Sequence, residues 1–498
     1  MAELQHSTLN RPRAGQDFHQ LTRDNLLALA SGQYTRSLIR TLRLAELSKN
    51  VLLMEAVRRE TTQIGPAGLV ALIDSAQDLL QVAQARRPNA VARLIASPSF
   101  GRWTAECLMR LRTVARRSDK RGDVTSLETD IGHFASFAAV AALRTQQHSH
   151  LRLPIRDGVL YLPTMGQANI PTSSGESWAD FISDGRGATI ASGSWKMRLT
   201  AVGNNRSAFE AMTDWTPTSS IVARSRGLRI RLSLEDSDPF LSQLAPSRCT
   251  VYPELVKQWQ QRLAGAWEIL TSYHANVAAG IAEALTAIIP SAEVDHGHPI
   301  AATSGWAWGS VLLSLPPDEL SLAEALTHEF HHLALAAIED IAPLITASHD
   351  DLCYAPWRDD PRPRSSLLQG SYAFLGVTSF WLRQSQVGSF ADRQNAQIEF
   401  ARRSQNVSEA LAELRAWAGL TTAGLSFVSE MVEQVGELLA TPVTPSARVI
   451  AQQTNAEHRS RWLSANGAPG GQLNTVPNTP GRLKGIHNDK MRFGPEKG

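Results

Sequence analysis

The spacing of apolar residues divides the chain into helical and strand-like stretches. Before about residue 150, segments such as LIRTLRLAELSKNVLLMEAVRRE and TDIGHFASFAAVAALRTQ repeat apolar residues every three or four positions, which is the period of an α-helix. Between 151 and 250 the period falls to two, as in GATIASGSWKMRLTAVG and GLRIRLSLED, which is typical of strands. Helical periodicity returns at Pro253. The pattern predicts an α+β protein that is mainly helical.

These changes of period predict four regions. We expect a helical N-terminal region over 1–150, a β-rich middle over 151–250, a helical catalytic region with a small sheet over 251–441, and a tail over 442–498 that is rich in Pro, Gly and Asn and partly disordered.

Two short segments carry more specific predictions. In LRLPIRDGVLYLP, the dipeptide Asp157-Gly158 tolerates the positive φ values of a tight turn, so we expect a hairpin of two strands. The segment SGWAWGSVLLSLP predicts a strand that leads into a long helix. An exposed edge there would allow an extended peptide to pair through main-chain hydrogen bonds, although Trp306 and Trp308 also suit the core.

Composition narrows the classes of protein. The chain has 498 residues, is 43% hydrophobic, and balances 49 Lys and Arg against 47 Asp and Glu, which leaves a net charge of +2. Such a balance creates no field that favours nucleic acid or an anionic membrane. The three cysteines form no CxxC pattern, which is typical of a protein of the reducing cytoplasm. The sequence has neither a signal-peptide pattern nor an apolar run of the roughly 18 residues that a membrane span needs.

The long helix carries the densest chemistry. Residues 322–340, LAEALTHEFHHLALAAIED, contain His328, Glu329 and His332 in the HExxH pattern. On a helix, His328 and His332 are one turn apart on one face, so two imidazoles converge on one metal ion with Glu329 beside them. The alternative is a set of core histidines bonded to carbonyls. His331 also lies three residues from His328, and we expect it on the flank of the helix.

The ends of this helix are also predicted. Ser321 and Glu324 match a capping box, which places the start near Leu322, and Pro343 predicts the end. Glu339 lies seven residues past His332, about 10 Å further along the axis, so we exclude it as third metal ligand.

A second polar segment follows the histidine helix. In HDDLCYAPWRDDPRPRSSLLQGSYAFLGVTSFW, Tyr354, Arg358 and Arg362 provide groups that grip a carboxylate, although the arginines also suit pairing with the neighbouring aspartates. The second half of the segment predicts a helix. Gln369 is a polar residue within this apolar helix and is the candidate third metal ligand, although a buried hydrogen bond is the commoner role for such a side chain. The next residue, Gly370, permits another segment to approach the backbone closely.

These motifs in combination resemble a known family. LAEALTHEFHHLALAAIEDIAPL, YAPWRDDPRP, LLQGSYAFLGV and FW, with FGRWTAECLMRL, DIGHFASFAAVAALR, LPTMG, LEDSDPF and GSVLLSLP upstream, are similar to the HExxH-type peptide β-hydroxylases of bacterial ribosomal-peptide gene clusters. The resemblance covers the chain to about residue 440. It implies Fe(II) on His328 and His332, 2-oxoglutarate and O₂ as co-substrates, and a ribosomally made precursor peptide as partner.

Three functions are compatible with the residues themselves. In an iron oxygenase, an oxo-acid chelates the metal and an arginine binds its distal carboxylate. In a zinc peptidase of the zincin type, Glu329 is the base that activates water. A non-catalytic scaffold that binds the peptide is the third. The arginines after the histidine helix, and the lack of a second helix with an embedded acidic ligand, favour the oxygenase.

Overall fold

The fold is α+β and mainly helical, as predicted. A computed structural model describes residues 19–116, 127–171, 176–202, 205–210, 214–292, 294–295, 298–346, 352–467 and 486–487. Among these residues, no helix combines the length and the apolar character that crossing a bilayer requires.

Helices occupy the N-terminal part of the described chain. They are α1 (Arg23–Ala30), α2 (Arg36–Ile64), α3 (Ala67–Arg86), α4 (Pro88–Ile95), α5 (Pro98–Ala115), α6 (Glu128–Gly132) and α7 (Phe134–Thr145). The longest, α2, changes partners along its length. Leu38 and Leu42 belong to the core that surrounds the histidine helix, whereas Met54 and Val57 belong to the core shared by the N-terminal helices and the middle strands. Helix α2 therefore joins the two cores.

Strands fill the middle of the chain. They are β1 (His148–Pro154), β2 (Val159–Leu162), β3 (Gly166–Asn169), β4 (Trp178–Asp184), β5 (Gly187–Ser192), β6 (Trp195–Val202), β7 (Asn205–Glu210), β8 (Trp215–Pro217), β9 (Ser220–Ser225) and β10 (Leu228–Leu234). An antiparallel sheet has the order β1-β4-β5-β6-β7, and a smaller one has the order β2-β3-β8. The last two strands join the sheet of the following region.

The predicted hairpin is right in its turn and in its two strands, but wrong in the pairing of these strands with each other. Asp157 and Gly158 have φ values of 50° and 75°, and Arg156 and Val159 exchange main-chain hydrogen bonds of 2.9 and 2.7 Å. Beyond this bridge β1 pairs with β4 and β2 pairs with β3. Pro154 ends β1 and has no N–H to extend a ladder between the two strands.

The remaining elements build the region of the histidine helix. They are α8 (Pro253–Tyr273), α9 (Ala275–Ala284), β11 (Ala287–Ser291), β12 (Val294–Asp295), β13 (His298–Pro299), β14 (Ala301–Ser304), β15 (Ser310–Ser314), α10 (Glu319–Ile341), β16 (Leu352–Cys353), β17 (Arg362–Pro363), α11 (Arg364–Val387), α12 (Phe390–Arg415), α13 (Thr422–Leu439), α14 (Pro445–Asn466) and β18 (Ile486–His487). Their main sheet has the order β18-β14-β15-β11-β10-β9.

This sheet leads directly into the histidine helix, α10. Strands β10, β11 and β15 are parallel, and β11 and β15 are buried at every position, as expected for strands covered on both faces. The predicted single strand SGWAWGSVLLSLP is wrong in one respect. It comprises the end of β14, a 3₁₀ turn over Gly305–Ala307, and β15.

The start of α10 differs from the prediction. Its N-cap is Asp318, whose carboxylate accepts a hydrogen bond of 2.7 Å from the Ser321 N–H. The predicted capping box is wrong, since Ser321 and Glu324 lie inside the helix. The helix ends at Ile341, before Pro343, as predicted.

The predicted tail is wrong over Pro445–Asn466, which forms helix α14. Thr444 caps this helix by accepting a hydrogen bond from the Ala447 N–H, and Trp462 is buried on the Tyr354 ring with ring centroids 5.1 Å apart. Residues 468–485 and 488–498, to which the predicted disorder also applied, lie outside the described residues.

The first prediction concerns the packing of α9 against α10. A Cβ atom at Gly280 would lie 2.3 Å from Cζ of Phe330, which is fully buried. We expect Gly280→Ala to lower the free energy of unfolding by about 1–3 kcal/mol, the usual cost of overpacking. The measurement is urea or thermal unfolding.

Gly436 in α13 provides the matched control, because a Cβ atom there meets nothing within 4 Å. Gly436→Ala should raise the stability by up to about 1 kcal/mol through helix propensity alone. A Gly280→Ala protein as stable as Gly436→Ala would contradict the close approach of the two helices.

Candidate metal centre

His328 and His332 meet on one face of α10, as the HExxH spacing predicted. Their Nε2 atoms are 3.0 Å apart, and the exposed fractions of the two residues are 0% and 2%. The helix is buried nearly all round between the sheet and α8, α11 and α2. Neither imidazole reaches bulk solvent, so the ring nitrogens are satisfied by hydrogen bonds within the protein or by a bound metal ion.

Both imidazoles are neutral at pH 7. Burial lowers the pKa of His332 to about 4, and a hydrogen bond with Gln369 acts in the opposite direction. Burial also lowers the pKa of His328, with further contributions from the charges of His332 and Arg403. Neutral imidazole is the form that binds metals, and two nitrogens bound to one ion at ~2.0–2.1 Å lie about 3 Å apart. The geometry and the donor set therefore fit a divalent metal.

His331 does not belong to the pair. Its Nδ1–H donates a hydrogen bond of 2.7 Å to the Thr327 carbonyl, and its ring packs edge-on against Tyr34 and Tyr372 at 5.3 and 5.2 Å. Burial lowers its pKa to about 4. The choice of His328 with His332 over His328 with His331 thus agrees with the geometry. Glu329, the candidate base, is fully buried beside His328 in the sequence.

Gln369 lies where a third ligand or a supporting side chain is needed. Its side chain hydrogen-bonds His332, and its Nε2 donates a hydrogen bond of 2.6 Å to Oε2 of Glu339. Burial raises the pKa of Glu339 to about 7, and the bond to Gln369 acts against this shift. Glu339 is too far along the helix to bind the same metal as His332, but the Gln369 amide connects the two residues. Sequence reasoning missed this connection.

Within the described part of the chain, no third His, Cys, Asp or Glu completes a metal-binding group with the pair. Gln369 is therefore still the candidate for the third protein ligand. Its amide oxygen is a hard donor of the kind that suits Fe(II) or Mg(II) more than a closed zinc site.

Aromatic rings cover the pair from α11. The Phe374 ring packs against the His328 ring at 4.8 Å, and Trp357 packs against Phe374 at 4.7 Å. A Cβ atom at Gly370 would lie 2.5 Å from the Trp357 ring, so this glycine permits the close approach that the sequence suggested. The loop that carries the predicted arginines therefore reaches the site through Trp357.

Each of the three residues predicted to bind a carboxylate contacts another side chain of the protein. Arg358 Nε donates a hydrogen bond of 2.9 Å to Asp360, and Arg362 Nε lies 3.2 Å from the same carboxylate. Tyr354 shares a hydrogen bond of 2.9 Å with Nδ1 of His458 on α14. The aspartate pairing that the sequence left open is thus present for both arginines.

Sequence reasoning missed a buried arginine beside the pair. The guanidinium of Arg403 in α12 lies 4.8 Å from the Phe374 ring, its exposed fraction is 8%, and its nearest acidic partner is Glu399 at 3.3 Å. Burial raises the pKa of nearby Glu324 to about 7 against the opposing charge of Arg403. Phe400 and Arg403 are three residues apart, so the helical period places both on the buried face of α12. The burial of Arg403 could therefore have been predicted from the sequence.

No family model matches this chain, and no curated protein matches it with significance.

The second prediction tests the ligand pair. We expect the wild type to bind one Fe(II) or Co(II) per chain, and His328→Ala and His332→Ala to weaken binding by more than about 100-fold, the upper range for losing a supporting residue. Metal analysis after dialysis and the visible spectrum of the Co(II) form measure this directly.

His331→Asn is the matched control, since its side chain faces Tyr34 and Tyr372 on the flank. This variant should keep its metal. A His332→Ala protein that stays loaded, or a His331→Asn protein that is empty, would show that the pair is misassigned.

Proposed function

We propose that this protein is a cytoplasmic, Fe(II)- and 2-oxoglutarate-dependent oxygenase that hydroxylates the β-carbon of a residue in a ribosomally synthesised precursor peptide. The observation that carries the proposal is the convergence of two buried, neutral imidazoles on one point at 3.0 Å. The family resemblance supplies the substrate class.

The donor set supports iron over zinc. Two imidazoles and one amide oxygen would hold an iron ion and leave positions free for the oxygens of a 2-oxo-acid. When bound, the iron supplies O₂ activation. Zinc or nickel would be trapped easily by the same ligands, because affinity generally rises across this series.

The chain's own residues would orient the reactants. Gln369, held by Glu339, fixes the position of His332, and Phe374 with Trp357 shields one side of the pair from water. Positioning of the peptide decides which of many similar C–H bonds reacts. The peptide loses one C–H and gains C–O–H, while 2-oxoglutarate becomes succinate and CO₂ and takes the second oxygen atom.

Arg403 is a stronger candidate than Arg358 or Arg362 for the distal carboxylate of 2-oxoglutarate. It lies over Phe374, which contacts His328, and its charge contributes to the lowered pKa of His328. A buried guanidinium makes strong charge-assisted hydrogen bonds with a carboxylate, which is the group that 2-oxoglutarate would present to it.

The exposed edge expected at β14 is wrong, since Thr303 and Ser304 pair antiparallel with His487 and Ile486 of β18, the outermost strand of this sheet. A peptide that bound to β14 by main-chain pairing would therefore have to replace β18.

A zinc peptidase is the second candidate, because Glu329 follows His328 as the water-activating base of an HExxH site would. A peptide-binding scaffold without catalysis is the third. All three make different predictions for one experiment.

The third prediction is the reaction. Co-expression with the small precursor peptide encoded nearest the gene, or incubation with iron, 2-oxoglutarate and air, should add about 16 mass units to one peptide residue. Intact mass and tandem fragmentation measure this. Glu329→Gln should retain part of the activity, because it removes no ligand of the iron and the oxidant derives from O₂.

Other outcomes identify the alternatives. Peptide cleavage without 2-oxoglutarate that Glu329→Gln abolishes would establish the peptidase. If none of the precursor peptides encoded near the gene is modified although metal is bound to the pair, the non-catalytic scaffold is the remaining function.

The fourth prediction tests the arginine. Arg403→Gln should raise the apparent KM for 2-oxoglutarate by about 10- to 100-fold, the value of one or two charge-assisted hydrogen bonds, with little change in the KM for peptide. Arg402→Gln is the control on the same helix. Arg403→Lys keeps the charge and should lie between the wild type and Arg403→Gln.

Arg358→Gln and Arg362→Gln complete the comparison. If these variants raise the KM for 2-oxoglutarate while the Arg403 variants do not, the anchor lies in the loop, as the sequence first suggested.

A further inference from the structure

A cavity lies on the flank of α10 that carries His331. It has a volume of about 350 Å³, and its walls come from the α1–α2 connection, the α8–α9 junction, α10, α11 and α13. His331 and Thr327 line it from α10, whereas His328 and His332 do not. The cavity is therefore separate from the metal centre, although both use the same helix.

The cavity is uncharged. Among the described residues that line it, none is an Asp, Glu, Lys or Arg. Arg383 lies 6.0 Å from the ring of Tyr273, a residue of the exposed mouth. A cationic ligand would meet this positive charge without a carboxylate to balance it, and an anionic ligand would find no cation inside. The ligand that fits is uncharged.

Apart from that of Tyr273 at the exposed mouth, the hydroxyl groups of the walls have already used their protons. Each donates to an oxygen of the protein, and these bonds run from Ser31 to the Ala28 carbonyl, from Tyr34 to the Tyr372 hydroxyl, from Tyr372 to the Leu29 carbonyl, from Thr327 to the Ala323 carbonyl, and from Ser379 to the Leu375 carbonyl. A carbonyl only accepts, so the direction of four of these bonds is determined. In the fifth, Tyr34 donates to Tyr372 because the Tyr372 proton is already bound to the Leu29 carbonyl. These hydroxyl oxygens can therefore accept a hydrogen bond from a ligand but cannot donate one.

His331 has the same polarity. Its Nδ1–H is bound to the Thr327 carbonyl, which leaves a lone pair on Nε2, and the Cε1–Nε2 edge of the ring lies beside Gly376, another wall residue. The deep part of the cavity thus presents acceptors, chiefly Tyr34 Oη and His331 Nε2, between aromatic rings. Rings prefer edge-on contacts with another ring at such a site.

We propose that this cavity binds an uncharged aromatic ring bearing an N–H donor, an indole group, with the N–H directed to Tyr34 Oη or His331 Nε2. The indole is either a free small molecule or a tryptophan side chain of a peptide. This proposal does not depend on the reaction assigned to the metal centre.

The test compares three probes of similar shape by ligand-detected NMR and calorimetry on the full-length protein. Indole should bind saturably. Benzofuran, which replaces the N–H by an oxygen, should bind roughly three- to tenfold more weakly, the value of one net hydrogen bond. Tryptamine, which adds a cation, should also bind more weakly than indole. Equal binding of benzofuran, tighter binding of tryptamine, or no saturable binding of indole would overturn the proposal.

Two variants connect binding to the cavity. Tyr34→Phe removes one acceptor and leaves the Tyr372–Leu29 bond intact, and Tyr252→Phe, an exposed tyrosine outside the cavity, is its control. Ser379→Leu fills the mouth from an exposed position of α11. Indole binding should weaken in Tyr34→Phe and disappear in Ser379→Leu, with melting temperatures near that of the wild type.

Unchanged indole binding in a folded Ser379→Leu protein would place the ligand elsewhere and overturn the assignment. N-acetyltryptophanamide and a tripeptide with a central tryptophan separate the two sources. If both tryptophan probes compete with indole, the ligand is a tryptophan side chain of a peptide. If only indole binds, the ligand is a free small molecule.

Discussion

The burial of two neutral imidazoles against each other is the constraint on which the centre of this protein depends. At 3.0 Å, two Nε2 lone pairs repel unless one nitrogen carries a proton or both face a cation. The surrounding structure keeps both rings out of water, so the pair is satisfied either by a hydrogen bond between the two nitrogens or by a cation that both bind. The surrounding residues hold the two rings in this arrangement.

Support for the pair comes from three directions. Gln369 connects His332 to Glu339 on the same helix, so one amide fixes the ring and a carboxylate fixes the amide. Phe374 and Trp357 cover the His328 side, and the positive charge of Arg403 lies behind Phe374. Neutral ligands with a buried guanidinium nearby support the proposal of an anionic oxo-acid co-substrate.

Helix α10 separates two chemically different environments. One face presents the imidazole pair, and the flank that carries His331 presents a cavity of acceptors between aromatic rings. The third histidine of the cluster is therefore explained by the cavity and not by the metal. Because the helix is buried over nearly all of residues 321–338, a ligand in the cavity and a metal at the pair would share one supporting element, α10.

The sequence by itself determined the elements with strong periodicity and the chemistry that depends on helical spacing. The helical and strand-rich regions, the turn at Asp157-Gly158, and the convergence of His328 with His332 all follow from local geometry, because residues four apart on a helix share a face wherever the helix lies.

Contacts between distant segments were decided only by the tertiary structure. The partners of β1 and β2, the burial of Arg403 beside Phe374, the amide link to Glu339 and the docking of α14 on Tyr354 each join residues from separate elements. Helix α14 escaped the sequence reasoning because few of its residues are buried, which leaves only a weak apolar period. Periodicity records which face of an element is apolar, but the packing of the whole chain decides what that face meets.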